Sequence, residues 1–288
     1  MKPIVLAAVV ASIMHGAPGR DVHVSVAARS IQPGELVVLT LTLPKHAERV
    51  RVRAFDHDMP VFDAGDGTWQ ALVGIDLDVT PGRHLVSIDA HVTGGDVHVS
   101  EPLLVRSKTF ATRSLRVDEN YVNPPAAVEE RIAREAAEMR RIWQSSAHER
   151  LWTTSFVRPV PGASVSRFGT RSVFNGQSRN PHGGGDFLSP SGTPIHAPGR
   201  GRVALARELY FSGNTVIIDH GLGFFSLLAH LSAFDVHEGE VVDAGQVVGR
   251  VGATGRVTGA HLHWAVRIGG ARVDPLAVLA LLGGKSSG

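Results

Sequence analysis

Four histidines and one aspartate, gathered in three short motifs, are the residues of this 288-residue chain whose types and spacing could do chemistry. The motifs are PHGGGD at 181–186, LLAHLS at 227–232 and GAHLHW at 259–264. Imidazole nitrogen and carboxylate oxygen bind zinc at about 2.0–2.2 Å. Imidazole is also the side chain that exchanges protons most readily near neutral pH. The chain has no cysteine, which excludes a disulfide framework and a thiolate metal site. Any metal must therefore be held by nitrogen and oxygen donors.

His261 and His263 are two apart. On a strand they share one face, while Leu262 and Trp264 pack on the other. Such a pair is common on strand surfaces, and the period does not say which of the two would hold a metal. His182 and Asp186 are four apart, but the intervening glycines each cost a helix about 1 kcal/mol. PHGGGD therefore reads as a loop or irregular strand, whose glycines let both side chains turn toward one point. His230 ends the apolar run FFSLLAHL, a setting in which an imidazole needs a partner. Three protein ligands that leave one position open fit a catalytic zinc better than a structural one. Zinc lowers the pKa of water to about 7, and hydrolysis then needs a base and an oxyanion donor. Histidines are available for both.

From about Pro161 to Pro275 the chain reads SRFGTRSVFNGQSRNPHGGGDF, GTPIHAPGRGRV, SGNTVIIDHG, LLAHLS, EGEVVDAGQVVGRVGATGRVTGAHLHWAV and VDP. The order and wording of these segments resemble the lysostaphin-type (LytM-like) zinc endopeptidases, in particular the exported Gram-negative branch with an N-terminal β-domain and connecting helix. The resemblance implies one zinc ion per chain held by His182, Asp186 and His263. It implies His261 as general base and His230 as an aid to the transition state. The implied substrate is a peptidoglycan peptide cross-link, in that branch the D-alanyl–diaminopimelate bond. All five residues are present, unlike the degenerate relatives that act as wall-binding or amidase-activating modules. A cupin-type metal enzyme would pair HxH with a downstream Glu, and no Glu follows His263. Gly185 and Leu228 depart from the family, which usually carries Ile or Val and often Tyr there. Arg167 and Asn175 match common family positions.

The elements that must position these residues are mostly strands. Residues 151–288 contain strand-like runs at 203–210, 214–220, 224–231 and 261–268 between Gly-rich turns, with one helical run at 275–282. GRVGATG at 249–255 lacks the following helix and the downstream acid of a dinucleotide-binding loop, and reads as a turn feeding the HLH strand. Residues 21–107 alternate apolar and polar with turns every 8–12 residues, the signature of a β-sandwich. Residues 108–150 read as a linker and a helix over AAVEERIAREAAEMRRIWQ, its apolar stripe running through Val128, Ile132, Ala136, Met139 and Trp143. The predicted fold is mainly β: an Ig-like sandwich, a connecting helix and an antiparallel LytM-type peptidase domain. His23, His57, His84, His91 and His98 read as strand-surface residues, and His196, His220 and His237 as structural.

Residues 1–20, with Lys2 and an apolar run of 12 residues, read as a secretory signal. The run is too short to span a membrane, which takes about 20 residues. The expected location is the periplasm or cell envelope, and the expected state a monomer. A net charge of +2 argues against a nucleic-acid partner. The charge is uneven: residues 151–288 hold 12 Lys/Arg and 8 Asp/Glu, whereas residues 1–150 hold 17 and 19. A mildly basic second half suits an anionic polymer.

Overall fold

A computed structural model of the protein describes residues 12–15, 22–43, 46–164 and 168–284. The chain divides into two compact units, Met1–Lys108 with Ile268–Val273 and Thr109–Arg267 with Asp274–Gly288. Of the expected leader, only Ser12–His15 is described; the rest of that expectation lies outside the described residues.

The first unit is two antiparallel sheets face to face. One contains β1 (Ser12–His15), β2 (Val22–Ala28), β3 (Leu36–Thr42), β6 (Val61–Gly65) and β7 (Thr68–Gly74), in the order β1-β2-β3-β7-β6. The other contains β4 (Ala47–Ala54), β5 (His57–Asp58), β8 (Gly82–Val92) and β9 (Gly95–Val105), in the order β5-β4-β8-β9. Alternate residues of facing strands, such as Val37, Leu39 and Leu41 against Val50, Val52, Val86 and Ile88, form one buried core. That is the sandwich the alternation predicts. His91 and His98 sit on the surface of the β8–β9 pair, where they bind Asp96 at 2.6 Å and Asp89 at 2.5 Å.

The second unit opens with β10 (Thr112–Leu115) and α1 (Ala126–Gln144). Residues 109–150 thus fall within the second unit. Met139, Ile142 and Trp143 of α1 pack on buried Leu205, Leu209, Ile217 and Phe225, with Trp143 edge-on to Phe225 at 5.1 Å. Ala136, placed on the stripe by spacing, is exposed, and Ile142 is in contact instead. The main sheet runs β13 (Gly184–Phe187), β20 (Leu262–Ile268), β17 (Phe224–Phe234), β16 (Gly213–Gly221), β15 (Gly201–Leu209), β18 (Val241–Val242). β14 (Pro194–His196) pairs with β19 (Val247–Val251), which also pairs with β17. β11 (Arg171–Phe174) and β12 (Gln177–Ser178) form a small sheet with β10, which pairs with β11 in parallel. β21 (Ala271–Val273) and α2 (Pro275–Leu282) complete the described chain. α2 opens on Pro275 and is capped by Asp274, whose carboxylate accepts from the Leu276 N–H at 2.9 Å.

Candidate metal centre and catalytic groove

β20 has the period that GAHLHW predicts. Leu262 and Trp264 are fully buried while His263 lies on the partly open face. His261 stands just before the strand, bridged to Gly252. PHGGGD ends as a strand rather than a loop: β13 pairs antiparallel with β20, and Asp186 stands directly opposite His263. Cross-strand neighbours have Cβ atoms about 4.5–5.5 Å apart, so the ladder brings the Asp and His side chains together. The glycine that matters most is Gly184. A Cβ there would lie 2.6 Å from the His263 Cε1 and 2.6 Å from the Trp264 carbonyl. Gly185, where the family usually has a branched residue, is buried within the paired strand. Backbone pairing supplies stiffness there. Leu228, the other departure, is fully buried core.

Three donor atoms converge. His182 Nε2 and His263 Nδ1 are 3.0 Å apart, His263 Nδ1 and Asp186 Oδ1 3.0 Å, and His182 Nε2 and Asp186 Oδ1 3.2 Å. Donors about 2.0–2.2 Å from a common centre would stand at roughly this spacing, and among the described residues this is the one His/Asp/Glu group so arranged. The donor set fits a borderline metal such as zinc. Burial raises the Asp186 pKa, but hydrogen bonds and charge from His182 and His263 outweigh it and hold the carboxyl far below its usual range. Burial depresses the His263 pKa, against the pull of Asp186. Both effects keep the donors in the deprotonated forms that bind metal.

The two remaining histidines stand beside this triangle. His261 Nε2 is 3.7 Å from Asp186 Oδ1. Its Nδ1–H donates to the Gly259 carbonyl at 2.8 Å, which leaves Nε2 as the free lone pair when the ring is neutral. His230 lies 5.0 Å from His261 and 5.9 Å from His263 between ring centroids. Its Nδ1–H donates to the Thr254 carbonyl at 2.9 Å. Burial first, and then repulsion from His263 and His261, pushes its pKa down to about 3. Its backbone is left-handed, with φ 69°, a strained state for a residue with a Cβ and one that gathers at functional sites.

Sequence reasoning missed what holds His230. Thr254, inside GATG, accepts from the Asn214 N–H at 2.9 Å and donates its hydroxyl to the Leu231 carbonyl at 2.9 Å. Thr254 thereby ties the turn to β16 and β17 on either side of His230. A Thr between Ala253 and Gly255, seven residues before His261, is the only trace of this in the sequence. Of the family-matched positions, Asn175 turns toward its own chain: its amide donates to Val117 O at 3.0 Å and Glu119 Oε2 at 2.9 Å. Arg167 lies outside the described residues. His196 and His220 bind backbone carbonyls, at Gly245 and Arg200, and His237 binds Glu240, as structural residues do. All five candidate residues line one groove of ≈ 630 Å³, together with Arg256, Val257 and Thr258 of the turn before β20.

The second unit is thus an antiparallel sheet that carries a two-histidine, one-aspartate donor triangle at the edge of an open groove. Residues 180–275 match the model of peptidase family M23. A Pseudomonas aeruginosa protein of known crystal structure, described as an M23 peptidase, is 33% identical, with a TM-score of 0.69 over 87% of this chain and 96% of that one. The chain belongs to peptidase family M23. Peptidoglycan DD-endopeptidase ShyA of Vibrio cholerae is 42% identical over 96 residues, 33% of this chain and 22% of that protein. DD-carboxypeptidase/endopeptidase Mpg of Neisseria meningitidis is 45% identical over 97 residues, 34% of this chain and 22% of that protein. The matched segment thus spans about a fifth of these relatives.

Proposed function

We propose that this chain is a secreted, zinc-dependent endopeptidase that hydrolyses peptide cross-links of peptidoglycan, with the D-alanyl–diaminopimelate bond as its target. The convergence of His182, Asp186 and His263 beside His261 and His230, all on one groove, carries the reading. The names of the relatives above support the substrate class.

His182 Nε2, Asp186 Oδ1 and His263 Nδ1 would hold the zinc, which supplies Lewis-acid polarisation of a carbonyl and acidification of water. His261 is the general base. The Gly259 carbonyl fixes its tautomer, so Nε2 takes the proton of the attacking water and later passes it to the leaving amine. His230 is neutral at rest. With its Nδ1–H on the Thr254 carbonyl, a proton taken up from solvent at Nε2 would make His230 an imidazolium beside the developing tetrahedral oxyanion, which it would stabilise more than the ground state. The open groove admits a branched, cross-linked peptide, and the monomeric, envelope-located state expected from the sequence suits a polymer substrate.

The test is turnover of purified sacculi together with zinc stoichiometry by elemental analysis. His261→Ala is expected to retain zinc and lose about 10²–10⁴-fold in kcat. His263→Ala is expected to lose both zinc and activity. Wild-type turnover in both variants sinks the assignment. A metal-free wild-type protein that binds sacculi without cutting them favours a silent wall-binding module instead.

A further inference from the structure

The groove beside the metal triangle is lined by three arginines: Arg113 on β10, Arg179 just after β12 and Arg256 on the turn before β20. Among the described residues its only acidic lining residue is Asp186, already committed to the histidines. Arg256 is half-buried. Its guanidinium stands over the Phe174 ring at 5.0 Å and the Phe211 ring at 4.9 Å. Among the described residues, the Arg256 side chain has neither a hydrogen bond nor a carboxylate partner. Two aromatic faces hold the fork in place by cation–π contact while its donors stay free. Arg179 is half-satisfied. It donates to the Val122 carbonyl at 2.6 Å and to Gln177 Oε1 at 2.9 Å, and its Nε is buried with no partner. Arg113 reaches Ser172 Oγ at 3.5 Å and makes no ion pair. Burial first, and then the charge of Arg179, depresses the Arg256 pKa. Like charges are thus held close in a partly desolvated place.

We propose that Arg256, with Arg179 and Arg113 beside it, forms a carboxylate-binding subsite of the groove, so that the preferred substrate is a peptide carrying a free carboxylate next to the scissile bond. This rests on the endopeptidase reading and sharpens it. The planar guanidinium takes a carboxylate through two parallel hydrogen bonds, and both partners being charged makes these among the stronger hydrogen bonds. Preorganisation by Phe174 and Phe211 lowers the side-chain entropy lost when the substrate is seated. An amidated peptide offers a neutral group in place of the anion and leaves the arginines uncompensated, which is how such a site discriminates.

The experiment uses the zinc-loaded full chain and two cross-linked muropeptide dimers, identical except that the diaminopimelate carboxylate near the scissile bond is free in one and amidated in the other. Wild type is expected to cut the free form with a kcat/KM at least about tenfold higher. Arg256→Gln is expected to bring the ratio of the free-acid rate to the amidated rate down to about one. Arg256→Lys restores part of the difference by charge alone. Arg113→Gln, at a half-exposed position of β10, gives a second, smaller loss should Arg256→Gln disturb the Phe174–Phe211 packing, which thermal melting reports. Equal rates for the two dimers in wild type, or full discrimination retained in a folded Arg256→Gln protein, overturns the subsite. If wild type cuts neither dimer, the endopeptidase reading falls. Equilibrium binding of the two dimers then decides the subsite: tighter binding of the free acid upholds it and equal affinity overturns it.

Discussion

Asp186 and His263 meet because they are opposite one another on two paired strands, whereas Gly184, paired with Ala265, meets the His263 ring diagonally across the same ladder. At this scale the site is a matter of what a single Cβ would hit. Gly184 leaves no room beside the His263 ring or the Trp264 carbonyl. Gly184→Val is expected to displace the imidazole and weaken zinc affinity about 10–100-fold, as disturbing a ligand's support does, while leaving the far side of the sheet folded. Competition with a colorimetric chelator measures the affinity, and circular dichroism checks the fold. Unchanged affinity in a folded variant contradicts a tight strand-to-ring contact. All five residues could be picked out of the sequence as candidates, but each alone had an ordinary structural alternative, and their division into ligands and helpers came from the resemblance. Which HxH histidine serves as ligand was not legible from periodicity. The resemblance assigned it to His263, and it is the His263 Nδ1 that faces His182 and Asp186.

At the level of elements, the turn between β19 and β20 acts as a clamp. It supplies the carbonyls that fix His230 and His261, and its Thr254 hydroxyl ties it to β16 and β17. Thr254→Val keeps the shape and removes the hydroxyl's two bonds, each worth about 1 kcal/mol net. The expected outcome is a fall of about tenfold in kcat with zinc content and KM little changed, read from steady-state kinetics on a soluble cross-linked peptide. A loss confined to KM argues against the turn as the positioner of His230. The sequence showed this run as a turn and nothing more, since hydrogen bonds across 24 residues leave no local pattern. The parallel pairing of β10 with β11 escaped for a related reason. It joins segments 59 residues apart, and its short, exposed strand has no strong alternation to announce it. α1 was legible in its bounds. Its contact face turned out one position over, on Ile142 in place of Ala136, because the sheet beneath decides which flank is covered.

For the molecule as a whole, the core that backs the site contains its own buried histidine. His220 is fully buried, edge-on to Phe156 at 5.0 Å and Phe224 at 5.1 Å. Its Nδ1–H donates to the Arg200 carbonyl at 2.9 Å, and Nε2 accepts from the Ser226 hydroxyl at 2.9 Å. The Ser226 oxygen in turn accepts from the Trp264 indole at 3.2 Å. Burial lowers the His220 pKa from 6.5 to about 4. The unfolded chain takes up a proton near pH 6.5 and the folded chain does not, so unfolding binds more protons between these values. The contribution is complete above pH 6.5 and declines as pH falls toward 4, by up to about 3 kcal/mol. Urea midpoints at pH 7.5, 5.5 and 4.5 check this against His220→Leu, which has no proton to take up there. The variant is expected to be weaker at pH 7.5 but to lose less on acidification. Parallel slopes for the two proteins would rule out a neutral buried imidazole.

The sequence by itself determined the kind of scaffold and pointed to candidate residues for the chemistry. It named the five residues, excluded thiolate ligands, and marked the sandwich, α1 and α2, because period, composition and caps are local properties of a chain. The tertiary structure alone decided how these residues meet. It set the 3.0–3.2 Å donor triangle, the strained backbone of His230, the clamp at Thr254 and the free guanidinium of Arg256 in the groove. Those depend on strand register and on turns closing over long separations, and many sequences with the same local pattern could close them differently.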